Sequence, residues 1–406
     1  MATKTPKLPT IEQLDKQLAP VLRDMEARGI TLDVPYLKTL ATEFQANIDV
    51  LQADIYREAG HEFSIKSPSQ LAVVLYDELK LGAGEEMWIK KTKSHRSTAA
   101  SELAKFVDTH PIVPLIIKYR EETKLLSTYI VPLPELVAED GRLHTTYSID
   151  TAAGRLSSKN PNLQNIPVRS DEGKKIRRAF VAQPGFELLS IDYSQIELRI
   201  AAHFSGDPGL IQAFTEGRDI HAATGEQMGV DRRVAKAINF GLLFGQGAFG
   251  LAGALNIPIE DAQAFIDQYF VTFPKLAEWM KSVQQKAHDN GYAETLLGRK
   301  RYLAELKGFN ANLRNFAERV AINHPIQGTE AEIVGLAMIA IHKAIPLDQA
   351  AMLLQVHDEL LFEIPEGTAT TIAPKLQQIM DSVIELSVPI KTEAEHGPNW
   401  EEMEGL

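Results

Sequence analysis

The sequence predicts an α+β fold: a sheet drawn from two distant stretches of the second half, with a helical block between them. Three observations lead there. Glu187-Leu188-Leu189-Ser190-Ile191 reads as a short apolar strand ending at Asp192. Ala351 to Ile364 reads as two apolar strands flanking His357-Asp358-Glu359, the pattern of a β-hairpin. Between them, residues 206–320 carry helical periodicity with Gly and Pro breaks.

The first half is helical. Residues 34–59 form a long amphipathic pattern that Asp33 can cap and whose first turn suits Pro35. Leu37, Leu40, Phe44, Ile48, Leu51 and Ile55 keep helical spacing. Shorter helical patterns follow at 68–80, 97–109 and 112–129. Leu81 to Arg96, rich in Gly and Lys, reads as a mobile tip. Residues 20–134 thus predict an elongated helical arm with a basic end. Ala153 to Pro167 is polar and Asn-rich without a clear period. It reads either as a binding loop or as a plain connection with Asx turns, and it is long for an idle one. Ser194 to Phe204 reads as a helix.

The 406 residues exceed one core and predict two or three subdomains. The longest apolar runs, such as Ile333 to Ile341, are too short to cross a bilayer, and no secretory h-region is present. Cysteine is absent, which excludes disulfides and thiolate metal sites. Any metal must be held by carboxylate, imidazole or carbonyl groups, which favours Mg²⁺ or Mn²⁺. The net charge of −12 argues weakly against a nucleic-acid partner. Charge is uneven, however. Basic runs at 90–96, 174–178, 232–233 and 299–301 look like local anion sites on an acidic chain.

Arg232, Lys236, Phe240 and Phe244 follow one another in steps of four, which return to nearly one side of a helix. Two cations and then two rings suit the phosphates and the base or sugar of a nucleotide. Taken alone, the run fits a solvated basic turn entering a buried helix equally well. Asp192 and Asp358 converge if their strands are neighbours, and such a pair can hold two divalent cations for phosphoryl transfer. Glu359 adds a possible outer ligand. Each acid taken singly reads first as a turn residue. Gly245-Gln246-Gly247-Ala248-Phe249-Gly250 matches GxGxxG but follows a helix pattern, so it reads as a helix stop. His221 could donate to a phosphate or cap its helix. Arg319, Asn323 and Gln327 form a polar stripe among apolar neighbours.

These residues resemble the polymerase module of family A DNA polymerases, the bacterial DNA polymerase I type. Ile191 to Arg199 is similar to that family's motif A, Arg232 to Gly245 to motif B, and Leu354 to Glu359 to motif C. Gly154 to Ser158 with Pro161 to Pro167 is similar to its primer–template segment, and Thr123 to Tyr129 to its thumb–palm junction. The resemblance covers residue 20 onward, in order. It implies a right-hand fold: an antiparallel palm sheet with helical fingers and a helical thumb. The implied division is an N-terminal segment 1–19, thumb 20–134, palm 135–200 and 330–406, and fingers 201–329.

The resemblance also implies roles. Asp192 and Asp358, with the Tyr193 carbonyl, would ligate two Mg²⁺ ions, for which Mn²⁺ could substitute, and Glu359 would assist. Arg232, Lys236 and His221 would bind the triphosphate of the incoming dNTP, and Lys236 could donate a proton to pyrophosphate. Gln195 would line the dNTP site, Glu197 would exclude a ribose 2′-OH, Phe240 would pack on the sugar and Phe244 at the template position. Arg155, Gln327, Gln355 and His357, with Asn162, Asn165, Lys124, Arg319 and Asn323, would contact primer–template DNA. Lys90, Lys91, Lys93 and Arg96 would grip duplex phosphates. The expected protein is a monomer without a membrane partner, acting in the cytoplasm at the nucleoid if bacterial or viral, with an organelle left open; the sequence does not say which processivity factor it would use.

Three departures stand out. Phe244 occupies a position where the family usually has Tyr. The His221–Arg232 connection is shorter than in the family. No segment upstream of residue 20 could hold a 3′–5′ exonuclease or a 5′ nuclease, so polymerisation without proofreading is expected. A catalytically silent DNA-binding protein would not need Asp192, Asp358, Lys236 and Arg232 together. A single-subunit RNA polymerase is disfavoured by Glu197.

Overall fold

The computed structural model describes residues 8–82, 89–149, 151–168 and 170–406. The basic residues 1–7, and residues 83–88 of the predicted tip, lie outside the described residues.

The central sheet has five antiparallel strands in the order Glu404–Gly405, Thr392–Gly397, Phe186–Tyr193, Glu359–Pro365 and Ala351–Val356. Its middle strand is covered on both faces, which is why it reads as an apolar run rather than an alternation. Leu189, Ile191 and Tyr193 join one core with helices Ile11–Arg28, Ala311–Ala344 and Ala369–Ser382. Leu188, Leu361 and Trp400 join a second core on the opposite side. The predicted hairpin is present and turns at His357-Asp358, with His357 left-handed at φ 58°. Histidine tolerates that conformation better than most side chains.

Helix Val34–Ala59 starts where predicted, with Asp33 accepting from the Tyr36 N–H at 2.9 Å. Its apolar stripe serves two cores. Leu37, Leu40 and Phe44 enter the core behind the sheet. Ile48, Leu51 and Ile55 enter a separate core with Leu71, Leu103 and Ile116. The arm returns through helix Ile112–Leu125 and a π-helical turn, Leu126–Ile130. Helix Ile11–Arg28 runs across the boundary expected at residue 20 and packs along Ala311–Ala344, where Leu14 and Leu18 sit against Gly335.

Several expectations change in detail. The helix expected at 68–80 is α-helical only over Pro68–Ala72 and then π-helical over Val73–Glu78. The one expected at 97–109 shrinks to Ala100–Leu103 with a 3₁₀ turn, Ala104–Phe106. Its first residues are taken by tertiary bonds: the Ser97 carbonyl accepts from the Tyr76 hydroxyl at 2.7 Å, and the Thr98 carbonyl accepts from Arg120. The segment expected to be a loop at 153–167 contains a strand, Ser157–Lys159, paired with Thr146–Ser148. Buried Ser158 bonds Thr145 at 2.6 Å and accepts from the Leu163 N–H at 3.0 Å, while Leu163 and Ile166 plug the core. The helix expected from Ser194 begins at Ile196, because Gln195 is left-handed at φ 55°.

Within the basic tip, Lys91 and Arg96 form an antiparallel bridge. Lys90, Lys91 and Lys93 are exposed. Arg96 instead lies over the Tyr76 ring at 4.9 Å and pairs with Asp77, so it is built into the arm.

Candidate active site

Asp192 closes the middle strand and Asp358 sits in the adjacent hairpin turn. The Tyr193 N–H donates to the Asp358 carbonyl at 3.3 Å, so the two acids are neighbours. Register places Glu359 and Glu393 opposite Asp192 on the two flanking strands. Three carboxylates on one rung repel one another. Glu359 is compensated: one oxygen accepts from Ser190 and from the Trp400 indole, each at 2.7 Å, and the other meets Arg177 at 3.2 Å. Arg177 in turn stacks on Trp400 at 3.9 Å. The outer-ligand role expected of Glu359 therefore meets a carboxylate whose two oxygens are already bonded.

Among the described residues, neither Asp192 nor Asp358 has an ion-pair partner. Water reaches Asp192 from the cleft, yet surrounding protein, then Asp358, Glu359 and Glu393, pushes its carboxyl up to about 8. Burial also raises Asp358. A divalent cation between the two would relieve both the repulsion and the desolvation. Among the described residues no three acidic or imidazole side chains form a metal cage. The protein offers two carboxylates and backbone, since the Tyr193 hydroxyl is spent on the Met380 carbonyl at 3.0 Å. Such a donor set suits Mg²⁺, which keeps several positions for water or phosphate.

The acids open onto a cavity of about 400 Å³ shared with Gln195, Glu197, Arg232 and Phe240. Asp231 caps helix Arg232–Leu243, which carries the cations and rings. Arg232 is paired with Asp219 at 2.7 Å, and Asp219 caps the neighbouring helix Ile220–Met228. Lys236 is exposed one turn on, with no hydrogen bond or ion pair among the described residues. His221 is buried, and burial lowers its pKa. Its Nδ1 faces the Asn239 amide at 3.0 Å. With the amide donating, the imidazole is neutral and its proton sits on Nε2. The His221 and Phe240 rings lie 5.4 Å apart, and Phe240 stacks on Phe244 at 6.3 Å and 15°. Gly245 follows at φ 70°, so the GxGxxG run is a helix stop, as expected.

A second cavity behind the acids brings Arg155, Gln355 and His357 together with Gln164, Arg299 and Glu330. Gln164 donates to the Gln355 side chain at 2.9 Å. Arg155, expected at primer–template DNA, is here ion-paired with both Glu197 and Glu330. The stripe Arg319, Asn323, Gln327 is exposed to half-buried, and the Asn323 amide reaches the Phe244 carbonyl at 3.5 Å. Asn162, Asn165 and Lys124 are exposed, with the Asn165 carbonyl accepting from Tyr129 at 2.8 Å. Lys90, Lys91, Lys93 and Arg96 belong to the arm and line neither cavity.

Sequence reasoning missed Asp219, Asn239 and Glu330. A signal existed for two of them. Asn239 is a polar residue in the apolar stretch between Lys236 and Phe244. Glu330 extends the polar stripe by three residues beyond Gln327.

Fold and site together define a family. The chain belongs to DNA polymerase family A, whose profile matches residues 34–402. Thermostable DNA polymerase I of Thermus thermophilus is 47% identical over 402 residues, covering 96% of this chain and 48% of its own. DNA polymerase I of Deinococcus radiodurans is 45% identical over 402 residues, covering 96% of this chain and 42% of its own. The polymerase domain of Pol1 from M. smegmatis, in complex with DNA primer-template and dNTP, matches with a TM-score of 0.90 at 40% identity. That match covers 95% of this chain and 70% of the other. The chain spans about half the length of the DNA polymerase I relatives it matches.

Proposed function

We propose that this chain extends a DNA primer with dNTPs under template direction. The observation that carries the reading is the single cleft shared by Asp192, Asp358, Glu197, Arg232 and Phe240. Asp192, Asp358 and the Tyr193 carbonyl would hold two Mg²⁺ ions. When bound, such a pair promotes ionisation of the attacking hydroxyl and offsets charge on the departing oxygen.

The chain's own residues would do the rest. Arg232, Lys236 and His221 Nε2–H would orient the triphosphate. The primer 3′ oxygen would attack the α-phosphorus as the bond to the β-phosphate oxygen breaks, releasing pyrophosphate. Lys236 would deliver a proton to that leaving group. Phe240 would pack on the sugar, Glu197 would exclude a 2′-OH, and Phe244 would flank the template base. Arg155, Gln355, His357 and the stripe to Gln327 would contact the duplex near the primer end.

Primer extension with dNTPs and then rNTPs tests the reading. Wild type extends with dNTPs and poorly with rNTPs, and Asp358→Ala loses extension. Equal extension by wild type and Asp358→Ala would refute the catalytic assignment.

A further inference from the structure

Glu330 has no role in the mechanism above, yet it is a buried acidic side chain beside the nucleotide cleft. Its side chain is 3% exposed on helix Ala311–Ala344. One guanidinium nitrogen of Arg155 bonds Glu330 and, at 2.8 Å, Glu197. Glu330 lines the rear cavity and Glu197 lines the nucleotide cleft, so Arg155 bridges the wall between them.

The frame around this bridge is stiff. Gly328, two residues before Glu330, packs so closely on Thr295 that a Cβ there would stand 2.3 Å from its methyl group. Gly154, next to Arg155, is left-handed at φ 79°, and a Cβ there would meet Arg299 at 2.5 Å. The Arg155 Nε is buried and has no hydrogen-bond partner among the described residues. Among the described residues, the guanidinium's hydrogen bonds go to these two glutamates. Burial raises the Glu330 carboxyl to about 8, with Arg155 drawing it down and Glu197 pushing it up.

We infer that Glu330 is a specificity-determining positioning residue: through Arg155 it fixes the rotamer of Glu197 and so sets how strictly the site rejects a ribose. The inference rests on the reading that Glu197 faces the sugar of the incoming nucleotide. A carboxylate excludes a 2′-OH only while it is held in place, and here the holding group is two residues removed from the substrate.

The test measures kcat/KM for dCTP and CTP in single-nucleotide primer extension, with Tm alongside. Glu330→Ala lowers the dCTP-to-CTP ratio about fivefold, the worth of one buried hydrogen bond, chiefly by improving CTP. Glu330→Gln, which keeps an acceptor for Arg155, retains most of the ratio. In a Glu197→Ala background, Glu330→Ala adds no further change. An unchanged ratio in Glu330→Ala with a lowered Tm is the mark of a merely structural glutamate and overturns the inference. So does an equal effect with and without Glu197. If Glu197→Ala itself leaves the ratio untouched, the sugar reading falls and the inference with it. If Glu197→Ala lowers the ratio and Glu330→Ala does not, the inference falls alone.

Discussion

The Asn239 amide sits 3.0 Å from Nδ1 of His221, and both residues are buried. Thr224 completes the arrangement. Its hydroxyl donates to the Ile220 carbonyl at 2.7 Å and accepts from Asn239 at 3.2 Å. The imidazole is thereby committed to presenting Nε2–H. Replacing Asn239 by Leu keeps the volume and removes the donor. Triphosphate KM should rise about fivefold, the worth of one hydrogen bond, with a smaller change in kcat. Nitrogen NMR of labelled histidine should show His221 leaving the Nε2–H tautomer. A His221 spectrum identical to wild type would refute the arrangement.

Arg232 meets the cleft already paired with Asp219. The pair is exposed, so solvent and salt screen it and little stability is lost when it breaks. Asp219→Asn keeps an oxygen for the Ala222 N–H that Asp219 now caps at 2.8 Å. The freed Arg232 should bind dNTP about two- to fourfold more tightly in low salt, and the gain should fade as salt screens it. Weaker binding at every salt concentration would mean that Asp219 aims Arg232 rather than competing for it.

Glu330 also makes a pH prediction. Its carboxyl is raised from 4.5 to about 8 in the fold. The folded state then holds more protons than the unfolded state between those values. Stability contributed by the protonated group is lost as pH rises through that window, and no further loss follows above it. Glu330→Gln cannot ionise. Calorimetric Tm of the variant should gain on wild type from pH 5 to pH 8.5. A constant difference across that range would show that the carboxyl does not titrate there.

The arm separates two kinds of cation. Arg96 packs over Tyr76 and pairs with Asp77, so Arg96→Ala should lower Tm as well as DNA affinity. Lys91→Ala and Lys93→Ala remove exposed charges only. Each should leave Tm unchanged and flatten the salt dependence of duplex binding by roughly one phosphate contact. Binding isotherms at several salt concentrations, read beside the melts, distinguish the two.

The ring stack His221–Phe240–Phe244 carries two more expectations. Phe240→Tyr should relax discrimination against dideoxynucleotides by placing a hydroxyl near the sugar, read as the ddNTP-to-dNTP incorporation ratio. Phe244→Tyr should alter misincorporation more than dNTP affinity, and a large loss of affinity would contradict that role.

Much of this site is legible in the sequence because its parts obey local rules. Asp33 and Pro35 announce the long helix, Gly245 stops the helix Arg232–Leu243, and apolar runs frame Asp192 and Asp358. What escapes is long-range partnering. Nothing near Arg155 in sequence reveals that Glu330, 175 positions away, holds it. Nor does the hairpin disclose that Glu359 is taken by Arg177 and Trp400. The shortened helix after residue 97 fails for the same reason: tertiary bonds from Tyr76 and Arg120 claim carbonyls that propensity assigns to a helix.

Helix Val34–Ala59 has no glycine within it, and its one proline stands in the first turn. At 1.5 Å per residue its 26 residues make a rod of roughly 39 Å. One half is clamped in the core behind the central sheet and the other in the core of the arm. No residue that kinks a helix stands between the two cores. Movement of the lysine-bearing tip over a duplex has to be taken up at its anchorages, near Asp33 and at the π-helical turn Leu126–Ile130. The helix thus links the arm directly to the core behind the sheet that carries Asp192.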